Sequence, residues 1–298
     1  MRKITLFSGM ILVFLLFLPS FCIRASAYDM RLSPGRAVRI SEFANSPAAQ
    51  MLLVALNNEL DKLTESPSVW KTLPSGTAEE REESLRPSVA GTSDMIFTSD
   101  QEAVRGLFDQ GLLRSFSPAF GEEIILVGPA ERGDSEASGI GAVMGRIFRE
   151  GAPFFSLMAN EWSVRAEQDI WKAEGIETPG LNRNYVQSSR DDVTAMFQAG
   201  DEGAFLLVGE GAFAQYRAAQ GAPPVLEKIA GTGVYRKSYV CLVKNSGFRK
   251  EQEEIASRFA AWLLSDEARE TVDSFELAGL RPFRWFYAFG ASGSAGAP

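Results

Sequence analysis

Apolar residues run almost unbroken from position 4 to 18, behind Arg2 and Lys3 and ahead of Ala25-Ser26-Ala27. From position 38 onward the pattern changes. Short apolar runs alternate with stretches in which apolar residues recur every three or four positions. The runs predict strands over 38–41, 69–73, 94–98, 123–127, 154–156, 184–186, 203–208, 225–229 and 238–243. The periodic stretches predict a helix opening at Ser46-Pro47 and carrying Met51, Leu52, Leu56, Leu60 and Leu63 on its inner face. Further helices are predicted over 101–110, 140–150, 160–174, 191–198 and 252–264, and another from Ser265. A charged helix is expected around 79–83, with its acids on a solvated face. Gly111, Gly151, Gly175 and Gly200 stand where helices should stop. Alternating strands and helices predict a parallel or mixed sheet with helices on both faces.

The opening run is about 15 residues, short for a bilayer span, and small-x-small at 25–27 is the pattern signal peptidase reads. It reads as a signal peptide over 1–27, cleaved near Ala27; a retained amino-terminal anchor is the alternative. The expected location is therefore periplasmic. Cys22 follows Phe21 rather than a small residue, which argues against a lipid-modified cysteine. The low-complexity tail at 290–298 is expected to be disordered.

Removing Arg2, Lys3 and Arg24 leaves 271 residues with 27 basic and 38 acidic side chains, a net charge of −11. Such a chain offers no general electrostatic attraction to nucleic acid or anionic lipid. A small anion remains possible, because helix N-termini and one arginine can dominate a pocket. The chain has no histidine, which removes Ser-His-Asp and Cys-His chemistry and most zinc sites. Cys241 is the single cysteine left, in an apolar strand-like run that suits a buried inert thiol. Nothing in the sequence calls for a metal or a cofactor. Gly139-Ile140-Gly141-Ala142-Val143-Met144-Gly145 follows a polar loop rather than a strand, so it reads as a helix and not as a dinucleotide loop.

Several ordered stretches carry a resemblance. They are Asn45-Ser46, Ser75-Gly76-Thr77, Gly151-Ala152-Pro153-Phe154-Phe155-Ser156, Trp171-Lys172-Ala173-Glu174-Gly175-Ile176 and Asp201-Glu202-Gly203-Ala204-Phe205. Phe259-Ala260-Ala261-Trp262-Leu263-Leu264-Ser265 and Gly279-Leu280-Arg281-Pro282-Phe283 follow. Together, from Val38 to Phe289, they resemble the tungstate-binding periplasmic proteins of bacterial ABC importers. That resemblance implies an α/β, type II periplasmic-binding-protein fold of two lobes joined by two crossover strands. Lobe I would be 28–120 with 239–289, lobe II 121–238, and the crossovers 123–127 and 238–243. It also implies a non-enzymatic, monomeric protein that hands a small solute to an inner-membrane ABC permease.

By the same resemblance the ligand-binding candidates are Ser41, Asn45, Ser46, Ser75, Gly76, Thr77, Ser156, Asn160, Ser163, Ser188 and Arg190. The sequence departs from the family at this site. Leu157 stands where the family has arginine, Glu42 and Phe43 where it has hydroxyls, and Ser189, Asp191 and Val193 where it has glycines. A buried dianion without a cation loses more hydration than hydroxyls restore. The expected solute is therefore a tungstate-like oxyanion or a small polar organic anion, with Arg190 or Arg165 supplying charge and Phe43 and Trp162 an apolar wall.

Several of these candidates have a plainer explanation. Asn45 and Ser46 also suit a helix cap, Ser75-Gly76-Thr77 an ordinary turn, and Arg190 a surface pair with Asp191 or Asp192. Two other functions remain open: a degenerate binding protein acting as a periplasmic sensor input, and a periplasmic enzyme using paired carboxylates.

Overall fold

Several helices open on a local side-chain cap. The computed structural model describes residues 38–43, 46–63, 68–72, 92–129, 139–177, 179–181, 183–220, 225–244 and 250–287. The leader at 1–27, Asn45, Ser75-Gly76-Thr77, the charged segment at 79–83 and the tail at 290–298 lie outside these residues. The described residues fall within one compact unit.

The strands are β1 (Val38–Phe43), β2 (Ser68–Thr72), β3 (Met95–Thr98), β4 (Leu113–Pro129), β5 (Phe154–Leu157), β6 (Tyr185–Ser188), β7 (Phe205–Gly209), β8 (Leu226–Val243) and β9 (Phe283–Trp285). The helices are α1 (Pro47–Leu63), α2 (Gln101–Asp109), α3 (Ile140–Glu150), α4 (Glu161–Ala173), α5 (Asp192–Glu202), α6 (Glu210–Gln220), α7 (Lys250–Trp262) and α8 (Asp266–Ser274). Asp100, Asn160, Asp191 and Ser265 cap α2, α4, α5 and α8, each accepting the amide three residues on. Gly151 and Gly203 close α3 and α5 with φ of 63° and 64°, the left-handed conformation that glycine adopts without strain.

Strand order is β2-β1-β3-β8-β4-β7-β5-β6, with β9 also paired to β4. β1 runs parallel to β2 and β3, and β5 runs parallel to β6 and β7. The two parallel groups meet through the antiparallel ribbon β4–β8, paired from Leu113↔Val243 to Pro129↔Leu226. β3 pairs with the C-terminal part of β8, and β7 pairs with Ile124 to Val127 of β4. Register shifts at Pro118/Phe120 and Glu123/Ile125 interrupt the ribbon where it passes from one group to the other. Such bulges bend and twist a strand pair.

Hydrogen bonding is thus continuous, yet the core is divided. Around β1–β3, one cluster joins Ile40, Leu52, Phe97, Phe120 and Phe259, and another joins Ile96, Val104, Tyr239 and Cys241. Around β5–β7, Ile125, Val127, Phe155, Met196 and Tyr216 pack on one face; Ile124, Leu126, Met144, Phe154 and Trp171 pack on the other. Consecutive residues of β4 therefore alternate between two cores, as the period of two requires. Each half-sheet is covered on both faces, the condition for parallel strands.

Several sequence expectations need correction. Residues 123–127 are the middle of a 17-residue strand, and 225–229 and 238–243 are the ends of a single 18-residue strand. Pro118, Gly121, Gly231 and Gly233 read locally as breaks, but pairing between the two long strands overrides that preference. Gly200 lies inside α5, which runs on to Gly203. Helix α6 and strand β9 were not expected at all.

Candidate functional site

The first turn of a helix presents backbone N–H groups without partners in the helix, at the positive end of its dipole. Four such turns converge here. Ser46 precedes α1, is buried, and accepts from the amide of Ala49 at 3.2 Å. At the start of α6, a Cβ on Gly211 would lie 2.7 Å from the Cβ of Ala48 in α1. Only glycine permits that approach. The Gly211 amide donates to Oε2 of Glu122, on β4, at 2.8 Å. The other oxygen of Glu122 accepts from Arg236 of β8, whose Nε is at 3.0 Å and whose Nη2 is closer still. At the start of α4, Asn160 Oδ1 accepts from the Ser163 amide at 3.2 Å, while Nδ2 donates to Asp192 Oδ2 at 2.7 Å. Asp192 is the first residue of α5.

The result is one guanidinium between two carboxylates, sealed from solvent to different degrees. Glu122 is 2% exposed and the Arg236 side chain 10%. Burial pushes the Asp192 carboxyl above the ordinary aspartate value; Arg236 and the Asn160 hydrogen bond oppose this, while Glu122 and Asp191 add to it. For Arg236, burial works against the charge, but Glu122 and then Asp192 outweigh it, leaving its pKa above the ordinary value.

The predicted residues fall in different places. Ser41 is buried, its hydroxyl 2.5 Å from that of Ser93. Ser156 is buried on β5; its hydroxyl lies 4.0 Å from the Met158 sulfur and also acts on Glu167. Ser163 is buried in the first turn of α4, and its hydroxyl has no hydrogen-bond partner among the described residues. Ser188 is buried and accepts from the Arg190 amide at 3.3 Å. Arg190 itself is exposed and forms no ion pair with Asp191 or Asp192. Arg165 pairs on the surface with Glu161 at 2.7 Å and Glu102 at 4.0 Å.

Leu157 is fully packed in the core beneath the site. Trp162 is half-buried and packs against the opposite core of the same half-sheet, as do Ile140 and Tyr185. Cys241 is buried, and burial raises its thiol pKa as expected of an inert cysteine.

Glu122 and Arg236 were not singled out by the sequence. A signal existed: Glu122-Glu123 and Arg236-Lys237 are opposite charge pairs inside strand-forming stretches, and Glu122↔Arg236 are direct cross-strand partners. Among the described residues no acid–cysteine cluster suits a metal ion, and no helix is long and apolar enough to cross a membrane. A hollow along α8, lined by Asp266, Arg269, Asp273 and Arg281, is an exposed helix flank whose Arg269 pairs with both acids.

Two half-sheets, each clothed in helices and linked by two long antiparallel strands with helix N-termini converging between them, constitute the type II periplasmic-binding-protein fold. Among solved structures, the chain is similar to the tungstate-binding protein TupA of Desulfovibrio alaskensis G20. The two are 20% identical with a TM-score of 0.73, over 85% of this chain and 100% of that one. It is also similar to the tungstate ABC transporter structure from Geobacter sulfurreducens (18% identity, TM-score 0.63, 80% of this chain and 98% of that one). Iron-bound HitA of Pseudomonas aeruginosa shares the fold at 13% identity and a TM-score of 0.57, over 79% and 83% of the two chains. No family model matches the chain. No curated protein matches it.

Proposed function

We propose that this chain is an extracytoplasmic solute-binding protein of an ABC importer, holding a small oxyanion or small polar organic anion between its lobes. The observation that carries this reading is Arg236, a buried cation set among the N-termini of α1, α4, α5 and α6. Backbone amides and a guanidinium suit an anion, and a fold of two hinged lobes suits capture and release. Lobe I is taken as 28–120 with 239–289 and lobe II as 121–238, both linked by the β4–β8 ribbon. Ser41, Ser46, Ser156, Asn160, Ser163, Ser188 and Arg190 are the candidate ligand residues to set beside Arg236, with Asn45 and Ser75-Gly76-Thr77 joining them from outside the described residues.

The solved structures this chain resembles are named as binding proteins and transporters, which supports binding as the role of this cluster. Similarity to periplasmic binding proteins supports a periplasmic location and an inner-membrane permease as partner. The test is a thermal-shift screen of oxyanions, carboxylates and amino acids against the purified chain. A solute at 100 times its dissociation constant stabilises by about 2.7 kcal/mol. No shift with any class would remove the proposal.

A further inference from the structure

The cation of the site is already half engaged, and it is outnumbered. Arg236 gives Nε and Nη2 to Glu122, leaving Nη1 without a partner among the described residues. Asp192 gives Oδ2 to Asn160, leaving Oδ1 without a donor among the described residues. Arg236 and Asp192 act on each other electrostatically but make no ion-pair contact. One donor on β8 and one carboxylate oxygen at the start of α5 are thus left without partners among the described residues, on groups near enough to act on each other's charge. The Ser163 hydroxyl, in the turn after Asn160, is a third polar atom that is buried and without a partner among the described residues.

A fully deprotonated oxyanion fits this arrangement badly. All its oxygens are acceptors, so one facing an ionised Asp192 meets a like charge with no proton between them. A solute that places a donor there reverses the sign of that contact. Glu122, Asn160, Asp191 and Arg236 are the other charged or polar groups that act on Asp192, and only Asn160 donates to it directly.

We propose that the solute carries its own hydrogen-bond donor beside its anionic group, and that Asp192 selects for that donor. The anionic group meets Arg236 Nη1 and the helix amides, and an O–H or N–H of the solute meets Asp192 Oδ1. Two sources share this chemistry: a protonated oxyanion such as hydrogen phosphate, and a zwitterion such as an α-amino acid. Tungstate, molybdate and sulfate at neutral pH have no such donor. The inference rests on the solute-binding reading above.

The experiment is calorimetric titration at pH 7.5 with hydrogen phosphate, glycine and L-serine on one arm and tungstate, molybdate and sulfate on the other. The wild-type protein should bind at least one donor-bearing anion about ten-fold or more tighter than any of the three without a donor. Asp192→Asn, whose amide can donate, should shrink or invert that ratio; Asp192→Ser serves if the first variant folds poorly. Hydrogen phosphate and the amino acids then tell the two sources apart. If tungstate or sulfate binds wild type as tightly as the donor-bearing solutes, or the ratio survives both substitutions, the inference falls while solute binding stands. If nothing on either arm binds, both fall.

Discussion

Buried charge is the feature that single substitutions expose most directly. Glu122 neutralises Arg236 and caps the start of α6 at once. Glu122→Gln keeps an acceptor for Gly211 but leaves the guanidinium unpaired, so denaturant melts should show a loss of about 3 kcal/mol or more. A loss under about 1 kcal/mol would mean the pair is solvated. Gly211→Ala should cost about 1–3 kcal/mol by overpacking, because its Cβ would meet both Ala48 and Glu122. Glu167 provides a pH test. Burial raises its pKa above the ordinary 4.5, although Tyr185 at 2.6 Å and Trp171 at 3.1 Å hold its carboxylate. The folded protein then keeps this proton to higher pH than the unfolded chain. Its stabilising effect is full below the unfolded value and is lost as pH rises through the folded one. Glu167→Gln should flatten the decline of stability with pH above 4.5, measured by urea melts at a series of pH values; an unchanged slope would assign the decline to other groups.

At the scale of elements, local chemistry and pairing divide the control. Asn160, Asp191 and Ser265 are the first residues of helices expected from the sequence and Asp100 directly precedes another; each proves to be a cap, the use to which a short side-chain acceptor before an amphipathic stretch is suited. Asn160 adds a link that no local rule supplies, because its amide group also holds Asp192, 32 positions away. Asn160→Ala should cost about 1 kcal/mol for the cap in thermal melts, and should weaken the best solute further by freeing Asp192 to move. An affinity equal to wild type would separate Asn160 from the site. The long strands were legible only in pieces. A strand interrupted by Pro118 or by Gly231 and Gly233 looks broken until its partner is known.

Across the whole molecule, the two halves touch outside the ribbon. Ala48 of α1 meets Gly211 of α6, Met51 meets Gln215 with sulfur and nitrogen 3.9 Å apart, and Arg165 reaches Glu102 across the other rim. The exposed pair at 4.0 Å contributes little. The α1–α6 contact is close and buried at Ala48 and Gly211. Ala48→Leu should wedge the two helices apart. The expected outcome is a larger radius of gyration by solution scattering and solute affinity lower by at least about ten-fold, with both cores still folded by circular dichroism. Unchanged affinity would mean that the solute is held by one half alone.

By itself the sequence determined the alternation of strands and helices, the helix caps, the inert Cys241 and the exclusion of histidine chemistry. Each of these depends on residues within a few positions of one another or on composition alone. Tertiary structure decided which cation is buried. The Arg236 side chain is largely buried while Arg190 is exposed, because β4 and β8 pair in a register that sets Arg236 against Glu122, 114 positions away. Tertiary structure also decided that Asp192 is held by Asn160, 32 positions away. Charge compensation acts through space, so the folded chain, and not the order of its residues, fixes which groups meet.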